Sequence, residues 1–175
     1  MKNQRVKIKG KRIFLKTLNE RNATKEYCSW LNDPAVNKYL ETRKATISQL
    51  KEYIKKKNKS PNSLFLGIFF KKNQKHIGNI KLEPIDFKKK KATVGILIGN
   101  KDYWGQGFGK EAISALVDYA FNNLALQEIN LGVISENKVA VNLYKNVGFK
   151  IDRIEKKSIR HEKKLFDKMI MLIKK

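Results

Sequence analysis

Three glycines at alternating positions, Gly105, Gly107 and Gly109, lie between two patterned segments. Residues 93–98 are an apolar run that reads as a buried strand. From Gly107 to about Asn123 apolar residues recur at helical spacing, with Ala112, Ile113, Leu116, Val117 and Ala120 on one face. A strand, a glycine-rich turn and a helix form a recipe for holding phosphates. Glycine lets the backbone approach a ligand, and the first helical turn offers unpaired N–H groups. The spacing here is Gly-x-Gly-x-Gly. The dinucleotide fingerprint needs Gly-x-Gly-x-x-Gly, and the nucleoside-triphosphate loop ends in Gly-Lys-Ser/Thr. The pattern therefore points to a phosphate-bearing ligand of another kind, or to a plain tight turn before a helix.

The remaining chain alternates strand and helix patterns. Residues 12–17 read as a first strand, and 22–32 as a helix with Ala23, Tyr27, Trp30 and Leu31 on one face. Asp33-Pro34 should end that helix. Thr46-Ile47-Ser48-Gln49 has capping-box spacing and should start a helix to about Asn58. Strands follow at 64–71, 77–84 and 91–98, joined by short polar links suited to antiparallel hairpins. Residues 129–134 read as a strand, 137–146 as a short helix stopped by Gly148, and 149–157 with 165–174 as a last pair around a turn at 160–163. The order is β-α-α-β-β-β-α-β-α-β-β, an α/β layout. A chain of 175 residues suggests one domain, 1–175.

Composition narrows the function classes. No apolar run reaches membrane-spanning length, so no membrane partner is expected. Residues 1–11 are basic without an apolar stretch behind them, which does not read as a secretory signal. Cys28 is the only cysteine, so no intrachain disulfide can form, in keeping with a cytoplasmic location. The formal net charge of +23 raises the question of nucleic acid. Most of the cations are lysines, though, and the runs Lys55-Lys56-Lys57 and Lys88 to Lys91 fall at a helix end and a hairpin turn, which are solvated places. No aromatic residues interleave with them, so a specific nucleic-acid partner is not expected. Such a charge does attract anionic small ligands.

The stretch Trp104-Gly105-Gln106-Gly107-Phe108-Gly109 resembles the coenzyme A loop of the GNAT acetyltransferases, Arg/Gln-x-x-Gly-x-Gly/Ala. Extended to Tyr103 and Ala112, it resembles the Rim-type branch, which holds ribosomal-protein and amino-sugar N-acetyltransferases. Ile13-Phe14-Leu15 and Trp30-Leu31-Asn32-Asp33-Pro34-Ala35-Val36 are similar to the start of that branch. Asn137-Lys138-Val139-Ala140, then Leu143-Tyr144-Lys145-Asn146-Val147-Gly148-Phe149, match the family's second landmark. The resemblance covers nearly the whole chain. It implies the GNAT fold: a mixed, mostly antiparallel sheet of six to seven strands flanked by about four helices, with the fourth and fifth strands splayed around the cofactor. It also implies an acyltransferase that uses acetyl-CoA, without a metal, by direct attack of a primary amine in a ternary complex. The acceptor would be a small-molecule or peptide amine: a protein N-terminus of the ribosomal-protein type, or the amino group of a nucleotide-activated sugar. A monomer or homodimer is expected. The rival readings are a coenzyme A-binding sensor without catalysis and a basic ribosome- or RNA-binding protein.

The resemblance assigns roles residue by residue. Backbone groups around Leu97 and Ile98 would pair with the pantetheine arm, and Gly99-Asn100 would form a bulge that aims the strand. Trp104, Gly105, Gln106, Gly107, Phe108, Gly109 and Lys110 would surround the pyrophosphate. Trp104 stands where the wider family has Arg or Gln, so backbone amides would carry most of that contact. Asn137 would meet the pantetheine amides or cap its own helix. Tyr144 is the candidate general acid for the departing thiolate. Glu136 leads as the base, with Glu83, Asp86, His76, His161 and a water relay left open. His76, beside lysine, reads as exposed. No His/Cys/Asp cluster has metal-ligand spacing.

Overall fold

The computed structural model describes residues 5–40, 44–161 and 164–175. The expected turn at 160–163 falls partly outside them, as does the side chain of His161. Eight strands form one sheet: β1 (Lys7–Lys9), β2 (Ile13–Thr17), β3 (Leu64–Phe70), β4 (His76–Asp86), β5 (Lys91–Ile98), β6 (Glu128–Ile134), β7 (Lys150–His161) and β8 (Lys164–Lys174). Their order is β1-β2-β3-β4-β5-β6-β8-β7. The α-helices are α1 (Lys25–Asn32), α2 (Pro34–Asn37), α3 (Ile47–Lys59), α4 (Phe108–Asn123) and α5 (Lys138–Val147).

The sheet has more strands, and the chain more helices, than the sequence suggested. The extra strand is β1, whose Ile8 turns inward between two exposed lysines. Three residues are too short to show an alternation, so only pairing with β2 reveals it. The extra helix is α2. Asp33 and Pro34, read as a stop, also start a new helix: the Asp33 carboxylate accepts from the Ala35 N–H, and Pro34 takes the first turn. The first long helix begins at Lys25 rather than residue 22, because Thr24 caps it through the Tyr27 N–H at 3.1 Å. Thr46 and Gln49 form the expected capping box at the start of α3.

The sheet separates two apolar layers. On one face α4 and α5 pack through Ile113, Leu116, Val141 and Tyr144 onto Ile80, Leu82, Val94 and Ile129. On the other, α1 and α3 bring Tyr27, Trp30, Leu50 and Ile54 against Phe14, Phe65 and Phe69. Together they bury both sides of the first half of the sheet.

The feature that positions the site is the junction of β5 and β6, the one parallel pairing among the described residues. It lasts for only three pairs, Lys91↔Glu128, Ala92↔Ile129 and Thr93↔Asn130. Beyond Thr93, β5 stays with β4 as far as Ile98, while β6 stays with β8 as far as Ile134. The two strands therefore diverge, and the expected splay is present.

Candidate functional site

One wall of the opening is the free edge of β5. The Gly99 and Asn100 N–H groups both donate to the Ile77 carbonyl, at 2.9 and 3.1 Å. Two residues facing one partner make the bulge expected there. Because Gly99 points its N–H at β4, alternation turns the Leu97 peptide groups to β4 as well, and those of Ile96 and Ile98 to the gap. The gap-facing pair is thus Ile96 and Ile98 rather than Leu97 and Ile98. Strand phase decides this, and phase is invisible until one hydrogen bond is known. The Ile98 carbonyl already accepts from the Trp104 indole N–H at 2.7 Å, which folds the loop against the strand end. Trp104 is therefore a brace for the loop. Gly99 itself sits under Trp30, where an added Cβ would come within 2.1 Å of the ring.

The second wall is the glycine loop and the start of α4. Gly105 and Gly107 have φ of 71° and 80°, in the left-handed region where only glycine is at ease. Gly107 caps α4 without any side-chain hydrogen bond, so the first-turn N–H groups are left for a ligand. Gly109 serves a different purpose. A Cβ there would approach Leu143 Cδ1 to 2.7 Å, so this glycine lets α4 and α5 close together. Phe108 is buried and meets Phe70 and Tyr103 at centroid distances of 5.4 and 5.6 Å, an aromatic footing for the loop. The Gln106 side chain donates back to the Asp102 carbonyl, and Lys110 is exposed.

Arg12 belongs to no motif in the sequence, yet it clamps this loop. Its guanidinium donates to the Gln106 carbonyl at 3.0 Å and to Glu111 at 3.0 Å, and lies 4.2 Å from the Phe108 ring centroid. Glu111 also accepts from the Arg12 and Ile13 amides. Burial alone would raise the Glu111 carboxyl, but those donors together carry it below the ordinary carboxylate value. An Arg and a Glu 99 positions apart leave no local signal.

The third wall is α5. Asn137 is its N-cap, accepting from the Ala140 N–H at 3.2 Å through its carbonyl oxygen. Capping uses only the oxygen, and the side-chain NH₂ is not drawn into it. Tyr144 is buried in the same layer as Ile96 and Ile98, against Phe149. Burial pushes its hydroxyl up to about 12, so the phenol keeps its proton throughout the neutral range.

The base candidates are scattered. Glu136 follows β6, more than half exposed, and pairs with Lys164 at 3.2 Å. Asp86 is spent on the β4–β5 turn, where it accepts from the Lys89 N–H. Glu83 is held by Lys57, a lysine expected to be solvated, whose side chain is only 15% exposed. His76 is not exposed as expected. It stands in an aromatic box, with ring centroids of Phe69, Trp30 and Tyr27 at 4.9, 5.1 and 5.6 Å, and its Nε2 lies 3.0 Å from Asn79 Oδ1. That burial lowers its proton affinity, so the ring is neutral at pH 7. Its lysine neighbours in sequence give no sign of this, because the cover comes from Tyr27 and Trp30 of α1. Among the described residues no helix is long and apolar enough to cross a membrane.

Comparison with known proteins accords with this geometry. A model of the acetyltransferase (GNAT) domain family matches residues 12–150. An N-acetyltransferase called p20 from Bacillus licheniformis, itself uncharacterized, is 30% identical over 126 residues, covering 70% of each chain. A GNAT-family acetyltransferase from Bacillus anthracis superposes with a TM-score of 0.83 at 20% identity, over 97% of this chain and 98% of that one. The spermidine N-acetyltransferase of Vibrio cholerae, solved with CoA and spermine, has a TM-score of 0.85 at 23% identity, over 93% and 95%. At those identities the two structural likenesses concern the fold.

Proposed function

The chain belongs to the acetyltransferase (GNAT) domain family and is an acyltransferase, and from that premise we propose that it acetylates a protein N-terminus or the amino group of a nucleotide-activated sugar. The observation that carries the reading is the splay itself. An unpaired β5 edge and a glycine loop with free N–H groups support it, as does a buried Tyr144 that keeps its proton in the layer formed by α4 and α5.

Each part has a role in moving an acetyl group from acetyl-CoA to an amine. The loop amides from Gly105 to Lys110 would hold the pyrophosphate, and the Asn137 NH₂ together with the gap-facing groups of Ile96 and Ile98 would hold the pantetheine arm. Holding both substrates in one gap supplies part of the rate by proximity. The neutral amine forms the new C–N bond as the C–S bond breaks. An N–H on the β5 edge would stabilise the oxyanion that develops on the carbonyl oxygen. Tyr144 gives its proton to the leaving thiolate, and Glu136, directly or through water, takes one from the amine. A polyamine acceptor is the second reading, favoured by likeness to the spermidine enzyme. A net charge of +23 works against capturing a polycation.

The test is thiol release from acetyl-CoA with N-terminal peptides, amino-sugar nucleotides and polyamines offered in turn. Release with one of the first two classes supports the proposal. Release with polyamines alone replaces it by the second reading. Acetyl-CoA binding without turnover across the panel favours the sensor.

A further inference from the structure

With acetyl-CoA assigned to the glycine loop and α5, the face that α4 and α5 leave open is the one available to an acceptor. On β5, Val94, Ile96 and Ile98 pack toward α4, whereas Leu97 packs toward α1 and α3. Thr93 and Gly95 therefore share the open face with Leu97. On β6, Ile129, Leu131 and Val133 face α4, which leaves Asn130 and Gly132 on the open face. The Thr93 hydroxyl donates to Asn130 Oδ1 at 2.7 Å across the last paired position. One step further along each strand on that face stand Gly95 and Gly132. Two residues without side chains thus confront each other at the root of the splay.

Each glycine is overlain by a lysine arm. A Cβ at Gly95 would meet Lys81 Cε at 3.4 Å, and a Cβ at Gly132 would meet Lys168 Cε at 2.4 Å. The stems lie on bare backbone, Lys81 over β5 and Lys168 over β6, each ending in an ammonium group. Neither is well paired. Lys81 lies 3.6 Å from Glu83, a carboxylate already gripped by Lys57. Lys168 lies 3.8 Å from Glu155, which Arg153 holds at 2.9 Å. Well-made charge-assisted bonds run at roughly 2.7–2.9 Å, so both ammoniums retain donor capacity. A cavity of about 330 Å³ opens on this face, lined by Thr93, Asn130, Gly132 and Lys168 among others. Of its acids, Asp152 and Glu155 are bound to Arg153, and Glu128 lies 3.9 Å from Lys174.

We propose that Lys81 and Lys168 form an anion-recognition pair at the acceptor side of the gap, so that the amine acetylated here carries an anionic oxygen group, and is not a polyamine. The inference rests on the acetyltransferase reading and narrows its substrate class. The same two charges raise the cost of protonating an amine placed between them, which favours the neutral nucleophile that attack requires.

Calorimetry on protein saturated with CoA tests this, using glucosamine 6-phosphate against glucosamine, O-phosphoserine against serine, and spermidine. At least one phosphorylated probe should bind about tenfold more tightly than its neutral partner, and Lys81→Gln or Lys168→Gln should each erode that preference about threefold or more. Lys88→Gln, which removes the same charge from the exposed β4–β5 turn, should leave it intact. Three outcomes overturn the pair: phosphorylated probes that bind no better than their partners, a preference that survives the double Lys81→Gln/Lys168→Gln variant, or spermidine as the tightest probe. Acetyl-CoA binding is measured first on the same protein. Its failure would defeat the acetyltransferase reading, whereas intact binding without the anion preference defeats only this inference.

Discussion

Tyr144 shows how one residue acquires a role from its surroundings. An isolated phenol is a weak acid, and burial here weakens it further, to about 12. A group so placed stays protonated at working pH and can donate once charge builds on sulfur. Tyr144→Phe should lower kcat by about tenfold to a hundredfold while the Kd for acetyl-CoA stays within about twofold. Because the phenol does not titrate below pH 10 or so, the wild-type and variant pH–rate profiles should share the same limbs between about pH 6 and 9. A limb that vanishes in the variant, or an unchanged kcat, would remove the acid role. His76 illustrates the converse: its ring is satisfied by Asn79 and enclosed by three aromatic rings, so its neutrality is a packing consequence.

Among the elements, the join between β2 and α4 is the most consequential. Glu111, one turn into α4, binds two backbone amides and one guanidinium at the start of β2. Its folded affinity for protons lies below that of the unfolded chain. The unfolded state therefore takes up the proton first on acidification. The stabilisation is present above the unfolded carboxylate value, near pH ~4.3, and is lost as pH falls through the lower folded value. Glu111→Gln should lower Tm by about 2–4 °C at pH 7, and the gap to wild type should narrow below about pH 4. Thermal melts across pH 3–8 would show it; a gap independent of pH would mean that the charge is irrelevant to the clamp. Because Arg12 also holds the Gln106 carbonyl, loosening this join should raise the KM for acetyl-CoA as well.

For the whole molecule, charge is the dominant condition. A net +23 on 175 residues repels itself across the surface, and the ion pairs seen are mostly partly exposed. Raising NaCl from about 20 mM to about 500 mM shortens the screening length from about 20 Å to about 4 Å, so Tm should rise by several degrees. A flat Tm would show that the lysines are too dispersed to oppose folding. The same field guides an anionic co-substrate toward the loop, so association with acetyl-CoA should slow over that range.

Much of this molecule is local and therefore readable in the chain. The capping box at Thr46, the helix stop at Gly148, the antiparallel hairpins and the bulge after Ile98 each depend on a few neighbouring residues. The glycine loop and Tyr144 were legible as motifs for the same reason. Other features needed the folded chain. β1 is a strand only because β2 lies beside it. The choice of Ile96 over Leu97 follows from the phase of one hydrogen bond to Ile77. Gly109 makes room for Leu143, and Gly99 for Trp30, across packed layers rather than for a ligand. Arg12 and Glu111 lie far apart in the chain and meet only in the fold, and Lys81 and Lys168 each come to lie over a glycine of a neighbouring strand only there. Periodicity and turn chemistry act over about ten residues, so they specify elements. Contacts between elements depend on distances that the order of residues does not contain, and those contacts decide which side chains face the gap.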